Sequence, residues 1–256
     1  MYTISVANQK GGSGKTTTSV NLAACLVEKG HKVLMVDLDP QAQASTWWRV
    51  EELGPKGYVF DALLETRTPE TPLTKLGVQV SENLTLLPSQ ILSVDDEARL
   101  IQQPKRFTRL KDCFSKIERD YDFAIIDCPP TLGVLTQNAL LASDAVILAI
   151  ETSFLALHGV GRMLELVKDV QKKHSIKVFA LATMFDRRTK FAHEVLENMK
   201  EYFDDMMFKS VIRHNVRLKE AASSGEPIIK YDPRSYGAED YTALADEVVK
   251  RVGRLR

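Results

Sequence analysis

Short runs of consecutive apolar residues alternate along this chain with longer stretches in which apolar residues recur at helical spacing. Strands covered on both faces of a parallel sheet have such continuous runs, because neither face meets water. The runs that predict buried strands are 2–7, 33–36, 123–126, 145–150 and 176–182. The segment 78–87 alternates between apolar and polar residues and is predicted as one further strand.

Helical spacing lies between these runs, and the stretch from 47 to about 75 is less regular. The predicted helices are 16–28, 104–119, 157–173, 192–202 and 238–255. Strands that alternate with helices are typical of an α/β fold, in which a mostly parallel sheet carries helices on both faces. A chain of 256 residues with 44% hydrophobic residues can bury one sizeable core, so we predict a single domain over 1–256.

A phosphate-binding loop lies between the first predicted strand and helix, where residues 10–17 read Lys-Gly-Gly-Ser-Gly-Lys-Thr-Thr. Glycines let backbone amides turn inward around phosphates, and the N-terminus of the following helix adds positive charge. In this pattern Lys15 reaches the β- and γ-phosphates, and Thr16 offers a hydroxyl to magnesium. We therefore predict a Rossmann-like P-loop NTPase fold. Its predicted nucleotide-binding residues are Gly11, Gly12, Ser13, Gly14, Lys15, Thr16 and Thr17.

Lys10 is a second lysine in this loop and needs a separate explanation. Lys15 already meets the phosphate charge inside the site, and a second buried cation costs several kcal/mol unless it is paired. A lysine at the loop entrance points out of its own site. In a face-to-face dimer it can reach the phosphates held by the other copy, so we predict that the chain uses its nucleotide as a pair.

Aspartates follow two of the predicted strands. Asp37 and Asp39 end the run 33–36, and Asp127 ends the run 123–126 before two prolines. Ligands of doubly wound sheets bind at the carboxyl ends of the strands, so we expect these side chains to face the phosphates. Phosphoryl transfer needs mainly positioning and charge neutralisation, which carboxylates that hold water and metal supply.

Residues 8–18 resemble the deviant phosphate loop of the ParA/MinD ATPases, whose signature lysine acts across an ATP-sandwich dimer. The strand before Asp127 resembles their Walker B strand. The resemblance implies ATP and Mg²⁺ as cofactors, a homodimer with ATP, and an attacking water oriented by Asp39. The residues that it implies for catalysis are Lys10, Lys15 and Asp39, and those for magnesium are Thr16, Asp37 and Asp127.

Two later segments, 183–189 and 211–221, resemble the chromosome and plasmid partition branch of that family, and the likeness runs from about residue 3 to 250. In that branch these segments lie near the base and the dimer edge. The residues implied for nucleotide contact are Met184 and Arg213, and those implied for DNA binding without sequence preference are Arg188 and Arg217.

The resemblance also implies a function. In this branch the ATP-bound dimer coats the nucleoid, and a ParB-like centromere-binding partner triggers ATP hydrolysis and release. We expect a cytoplasmic, nucleoid-associated ATPase without a stable membrane anchor. The three cysteines show no paired spacing and no signal peptide precedes the loop, which agrees with that compartment. We expect Cys128 to be a small buried residue.

Charge and one departure from the family pattern qualify this interpretation. The formal net charge is zero, so affinity for DNA requires a local basic patch, completed by dimerisation. Trp47 and Trp48 stand where small residues are commoner in the family. We interpret them as core or interface packing in preference to a platform for base stacking.

Two other functions compete with partition. A MinD-like ATPase cycles on membranes through a C-terminal amphipathic helix, and an apolar stripe is present at Leu244, Val248, Val252 and Leu255. Such a stripe more often docks a terminal helix onto the core. The other alternative is a metabolic or redox enzyme on the same fold, such as dethiobiotin synthetase or a nitrogenase iron protein. Cys113 and Cys128 do not match the cluster cysteines of the iron protein.

Overall fold

The computed structural model of the protein describes residues 1–64, 73–91, 93–102, 106–117, 119–153 and 156–253. Strands in these ranges form one sheet in the order β3-β4-β2-β5-β1-β6-β7-β8. Every pairing between them is parallel except that of β3 with β4. The strands are β1 (Tyr2–Ala7), β2 (Val33–Asp37), β3 (Val78–Ser81), β4 (Leu84–Leu87), β5 (Phe123–Asp127), β6 (Ala145–Glu151), β7 (Lys177–Phe185) and β8 (Met207–Arg213).

Helices connect the strands and cover the sheet, which confirms the predicted α/β class with a mostly parallel sheet. Short 3-10 helices occur at Val50–Leu53 and Asp204–Met206. The α-helices are α1 (Lys15–Glu28), α2 (Gln43–Trp47), α3 (Val59–Leu63), α4 (Leu73–Leu76), α5 (Val94–Gln102), α6 (Arg109–Phe114), α7 (Val134–Leu141), α8 (Ala156–Gln171), α9 (Lys190–Phe203), α10 (Val216–Ser224), α11 (Ile228–Tyr231) and α12 (Tyr236–Gly253).

The sheet divides the buried apolar residues into two core layers. Successive side chains of a strand point to opposite faces, so Leu34 and Ile126 belong to one layer and Met35 and Ile125 to the other. Helices α3 to α9 contribute to the first layer, and α1, α2, α10, α11 and α12 to the second. Because both faces are covered, the central strands consist of the continuous apolar runs that the sequence displays.

Some elements differ from the sequence prediction. The segment 78–87 forms a hairpin in place of one strand, because Asn83 takes a left-handed backbone conformation (φ 63°) that ends β3 and starts β4. Of the helix predicted over 104–119, the described residues contain only α6, and residues 103–105 and 118 lie outside them. Strand β8 was not predicted: it lies at the edge of the sheet and alternates irregularly between buried and exposed residues.

The parallel order brings the carboxyl ends of the strands to one edge of the sheet. Asp37 at the end of β2 is the register partner of Asp127 at the end of β5. The phosphate loop follows the neighbouring β1, and Glu151 ends β6 on the far side of β1. Residues far apart in the sequence therefore meet at this edge, as expected for a doubly wound sheet.

Candidate functional site

The phosphate loop joins β1 to α1 in a conformation that needs glycine. Gly12 (φ 73°) and Gly14 (φ 86°) lie in the left-handed region, which side chains with a Cβ rarely adopt. A Cβ added to Gly11 or Gly12 would meet no atom within 4 Å, so the outer side of the loop is open to a ligand. The other side is fixed to the sheet, since the Thr183 hydroxyl donates to the Ser13 carbonyl at 2.8 Å.

Two buried polar atoms beside this loop lack partners. Neither Ser13 Oγ nor Asp127 Oδ2 has a hydrogen bond within the described part of the chain. Such atoms are rare in folded proteins, because an unmade hydrogen bond in the interior is costly. Lys15 is also buried, and its ammonium donates to the Lys10 carbonyl at 3.2 Å. The Lys15 ammonium interacts with Asp127, whose Oδ2 is unpartnered, so a cation and an available carboxyl oxygen lie together beside the loop, which fits a phosphate group and a metal ion.

The paired carboxyls of β2 and β5 carry an electrostatic cost. Burial raises the pKa of Asp127 to about 8, and the nearby charge of Asp37 adds to that rise, while hydrogen bonds from Thr16 and Ser19 oppose it. Burial likewise raises the pKa of Asp37 to about 6 against the hydrogen bonds from Ser45. Two adjacent carboxyls with raised pKa values form a site that a divalent cation stabilises. The donor set of Thr16, Asp37 and Asp127 therefore fits magnesium, which prefers oxygen ligands.

Lys15 faces these carboxyls. Burial lowers the pKa of Lys15, and the charges of Asp127 and Asp39 oppose that shift. The predicted phosphate lysine and the predicted catalytic carboxylate are therefore close enough to interact. The structure brings together Lys15, Asp39 and Asp127 as the sequence predicted, and their chemical roles stay predictions.

The first switch is the segment 39–45, between β2 and the middle of α2, and hydrogen bonds connect it to Asp37. Ser45 donates its backbone amide (2.8 Å) and its hydroxyl (2.7 Å) to Asp37 Oδ2. The Asp39 carboxylate accepts from the Gln41 amide at 3.0 Å, and its carbonyl accepts from the Ser89 hydroxyl at 2.7 Å. These bonds hold Asp39 at the rim of the buried carboxyl pair, where a water-positioning group is expected.

Lys10 has a partner within its own chain. Its ammonium forms an ion pair with the Glu151 carboxylate at the end of β6 and donates to the Ser153 hydroxyl at 3.1 Å. The Lys10 side chain is 34% exposed, so it lies at the surface as its predicted position at the loop entrance requires. Sequence reasoning missed Glu151. The signal was available, because Glu151 is a carboxylate directly after an apolar run, as Asp37 and Asp127 are.

Met184 and Arg213, predicted to contact the nucleotide, lie at the ends of β7 and β8. Met184 has a left-handed backbone (φ 54°), and its Cε lies 3.9 Å from the position of a Cβ on Gly14, so it borders the phosphate loop. Arg213 is bound to α12, where its Nε donates to Asp240 at 2.8 Å and its guanidinium lies 4.3 Å from the Tyr236 ring centroid. The hydrogen bond with Asp240 raises the pKa of Arg213.

Arg188 and Arg217, predicted to bind DNA, are exposed and paired. Arg188 is 85% exposed and donates to Asp186 two hydrogen bonds from its guanidinium and one from its backbone amide, which lower the pKa of that carboxyl. Arg217 is 53% exposed and lies 2.7 Å from Glu220 and 3.5 Å from Asp232. Exposed pairs of this kind contribute little to stability, because water screens the attraction. Both arginines therefore remain open to exchange of their partners.

Three interpretations of apolar residues are confirmed. Trp47 is buried and Trp48 half-buried, as expected for packing residues, and Cys128 is buried as predicted. The α12 stripe is docked: Leu244, Val248 and Val252 belong to the second core layer. Leu255, its fourth member, lies outside the described residues. A membrane-spanning helix, long and apolar enough for a bilayer, is not found in the described ranges.

Comparison with known proteins gives one consistent family. Residues 1–180 match the AAA domain family. The chain is 44% identical to the sporulation initiation inhibitor protein Soj of Bacillus subtilis over 248 residues, which cover 96% of this chain and 97% of Soj. It is 38% identical to the chromosome partitioning protein ParA of Myxococcus xanthus over 251 residues, 97% of this chain and 88% of that protein.

A solved structure with a similar fold carries a bound nucleotide. Cobyrinic acid a,c-diamide synthase from Mycobacterium smegmatis, with an ATP analogue and magnesium, superposes with a TM-score of 0.82 and 32% identity. The match covers 100% of this chain and 97% of that one. The likeness therefore includes the architecture that supports the phosphate loop.

The raised carboxyl pKa values predict how stability depends on pH. Unfolded aspartates ionise near pH 4, so between about pH 4 and 8 the folded, nucleotide-free protein holds more protons at Asp37 and Asp127 than the unfolded chain does. The stabilisation present at low pH is lost as the pH rises through the folded pKa values. We expect the free energy of unfolding to fall as the pH rises from about 5 to about 8, by up to ~1.4 kcal/mol per pH unit for each extra proton that the folded state holds, and to level off above pH 8.

Chemical denaturation of the nucleotide-free protein across this range measures the slope. Asp127→Asn should make it shallower, because that side chain no longer titrates. Asp169→Asn is the control: Asp169 is exposed and a hydrogen bond from Lys172 lowers its pKa, so it is ionised in both states and the slope should stay unchanged. An unaltered slope in Asp127→Asn would contradict the assignment.

Proposed function

The chain belongs to the ParA/Soj family of partition ATPases, and from this premise we propose that it hydrolyses ATP as a dimer that binds and releases DNA. The observation that carries the nucleotide chemistry is buried Lys15 at the phosphate loop, interacting with Asp127, whose Oδ2 has no partner among the described residues. Chromosome partitioning is the role named for the relative ParA of M. xanthus, and we propose that this chain likewise segregates a chromosome or plasmid.

We assign the catalytic parts as follows. Residues 11–17 bind the phosphates, with Lys15 as the buried cation, and Met184 borders the nucleotide beside Gly14. Thr16, Asp37 and Asp127 would hold Mg²⁺, which supplies charge neutralisation at the phosphates when bound. Asp39 orients the attacking water from the rim of the site. This division agrees with the needs of phosphoryl transfer, which are positioning and electrostatic stabilisation.

The proposed dimer gives Lys10 its role. In the single chain Lys10 is paired with Glu151, and in the dimer it exchanges that carboxylate for the phosphates of the partner subunit. A polyphosphate offers more negative charge than one carboxylate, so the exchange is favourable only when the partner subunit holds a nucleotide. Lys10 thereby makes dimerisation depend on ATP.

The proposed DNA-binding surface contains Arg188 and Arg217. The chain has no net charge, so the surface must collect its basic residues from both subunits of the dimer. A ParB-like partner bound to a centromere sequence would stimulate hydrolysis and release. In this cycle the protein is associated with the nucleoid while ATP is bound.

The alternatives receive less support. The apolar stripe of a MinD-like anchor is buried against the core at Leu244, Val248 and Val252. The M. smegmatis neighbour is named for an amide-forming reaction, but identity to it is 32% against 44% for Soj. Both facts favour partition.

Lys10→Ala and Lys15→Ala should separate dimerisation from nucleotide binding. Loss of the buried cation Lys15 leaves phosphate charge uncompensated, which costs roughly 3 to 5 kcal/mol and lowers ATP affinity about 100- to 5000-fold. Lys10→Ala should keep ATP binding and lose dimers, whereas Glu151→Gln should keep both. Nucleotide titration with light scattering measures the contrast. Normal ATP-dependent dimers from Lys10→Ala would refute the role across the interface.

Asp39→Ala should bind ATP and dimerise but turn over slowly. The substitution removes the group at the rim and leaves Lys15 and Thr16 intact, so we expect hydrolysis to fall about 100-fold or more. Phosphate release and dimer content are measured on the same sample. A wild-type rate would move the water-positioning role to Asp37 or Asp127.

DNA binding should require ATP, ignore sequence and weaken steeply with salt. Arg188→Ala and Arg217→Ala should each lower the salt slope by about one unit for each DNA phosphate no longer neutralised, or about two where both subunits contribute. Arg99→Ala is the matched control, since Arg99 is exposed and paired with Asp96 at the same sequence spacing as Arg217 with Glu220. Binding is measured on duplex DNA and on anionic liposomes. ATP-dependent binding to liposomes alone would favour the membrane-cycling alternative.

A further inference from the structure

The two tryptophans at the end of α2 differ in their hydrogen bonds. The Trp47 indole is buried, and its Nε1 donates to the Glu226 carbonyl at 3.0 Å. The Trp48 Nε1 is buried as well but has no partner among the described residues. Of the two indoles, Trp47 is therefore the one that bonds α2 to the segment after α10 within the described ranges.

That segment is packed closely against the end of α2. Gly225, which follows α10 with a left-handed backbone (φ 75°), lies against the end of α2: a Cβ there would lie 2.8 Å from Arg49 Nε and 3.3 Å from the Trp47 carbonyl. Leu218 of α10 lies in the same core layer as Trp47. The end of α2 thus packs against α10, whose first turn carries Arg217.

The other contact of α2 is with the nucleotide site. Ser45 donates both its amide and its hydroxyl to Asp37 Oδ2, and the Ser89 amide donates to the Ser45 hydroxyl at 2.9 Å. Ser45 and Trp47 are two residues apart on one helix, a rise of about 3 Å. A shift imposed on Ser45 therefore reaches the Trp47 indole with little room for local adjustment.

We propose that Trp47 is a positioning residue that couples the nucleotide state at Asp37 to the DNA-binding helix α10, an inference that rests on the DNA-binding function proposed above. When the Asp37 carboxylate turns toward bound nucleotide and metal, it weakens its bonds to Ser45, and α2 shifts. The indole N–H carries that shift to the Glu226 carbonyl and the end of α10. Because coupling between sites is reciprocal, DNA at Arg217 in turn favours the nucleotide-bound arrangement.

The tandem tryptophans supply a variant and its matched control. Trp47→Phe removes an indole N–H that donates a hydrogen bond to Glu226. Trp48→Phe removes an indole N–H that has no acceptor among the described residues. We measure the affinity for duplex DNA with and without a non-hydrolysable ATP analogue. The ratio of the two affinities should fall about three- to tenfold in Trp47→Phe, the value of one hydrogen bond, and stay unchanged in Trp48→Phe. Affinity for the analogue without DNA should stay unchanged in both.

A second measurement does not need DNA. Hydrogen exchange of the backbone amides 216–226 should change on addition of the analogue in the wild type and in Trp48→Phe, but not in Trp47→Phe. If the wild type binds no DNA, the DNA-binding function fails, and this measurement still tests the coupling. An equal response in the two variants, or an unchanged ratio in Trp47→Phe, overturns the proposal.

Ser45→Ala removes the hydroxyl bond between the middle of α2 and Asp37, and it provides an independent test should Trp47→Phe fold poorly in a thermal melt. It should lower the same affinity ratio and reduce the same exchange response. If Ser45→Ala leaves both unchanged, α2 does not carry the coupling and the proposal is wrong.

Discussion

The structure depends on a buried concentration of like charge at the carboxyl edge of the sheet. Asp37 and Asp127 are register partners on adjacent strands, and both are buried. In an interior of low dielectric constant two carboxylates cannot both ionise at low cost. Burial raises the pKa of both carboxyls. Hydrogen bonds from Ser45 to Asp37 and from Ser19 to Asp127 oppose that rise, as does the charge of Lys15 near Asp127. The fold is therefore built to receive a cation and phosphates at this edge.

The sequence predicted the central part of this arrangement because its signals are local or periodic. Continuous apolar runs located the inner strands, and the glycines and lysines of 10–17 located the loop. Parallel topology then required Asp37 and Asp127 to converge. What failed were elements whose structure depends on neighbours: β8 is an edge strand with mixed burial, and the turn at Asn83 depends on a single residue in the left-handed region.

Pairs between distant residues were also out of reach of the sequence. No sequence pattern links Lys10 with Glu151 or Trp47 with Glu226, because the first two residues are 141 positions apart and the second two are 179 positions apart. Only the strand order brings β6 beside the phosphate loop, and only the second core layer brings α10 beside α2. The departure at Trp47 and Trp48 was visible in the sequence, but its meaning depends on which indole has a partner.

The basic residues proposed to act across the dimer or on DNA share one property. Each forms an ion pair with a carboxylate of its own chain. Lys10 is paired with Glu151, Arg188 with Asp186, and Arg217 with Glu220. Binding of phosphates by these residues is thus an exchange of partners, and an exchange at either arginine yields little free energy because exposed pairs are weak in water. When several of these exchanges occur together, their free energies add to a larger binding free energy. The proposed dimer would meet this need, because both copies would contribute their paired cations at once.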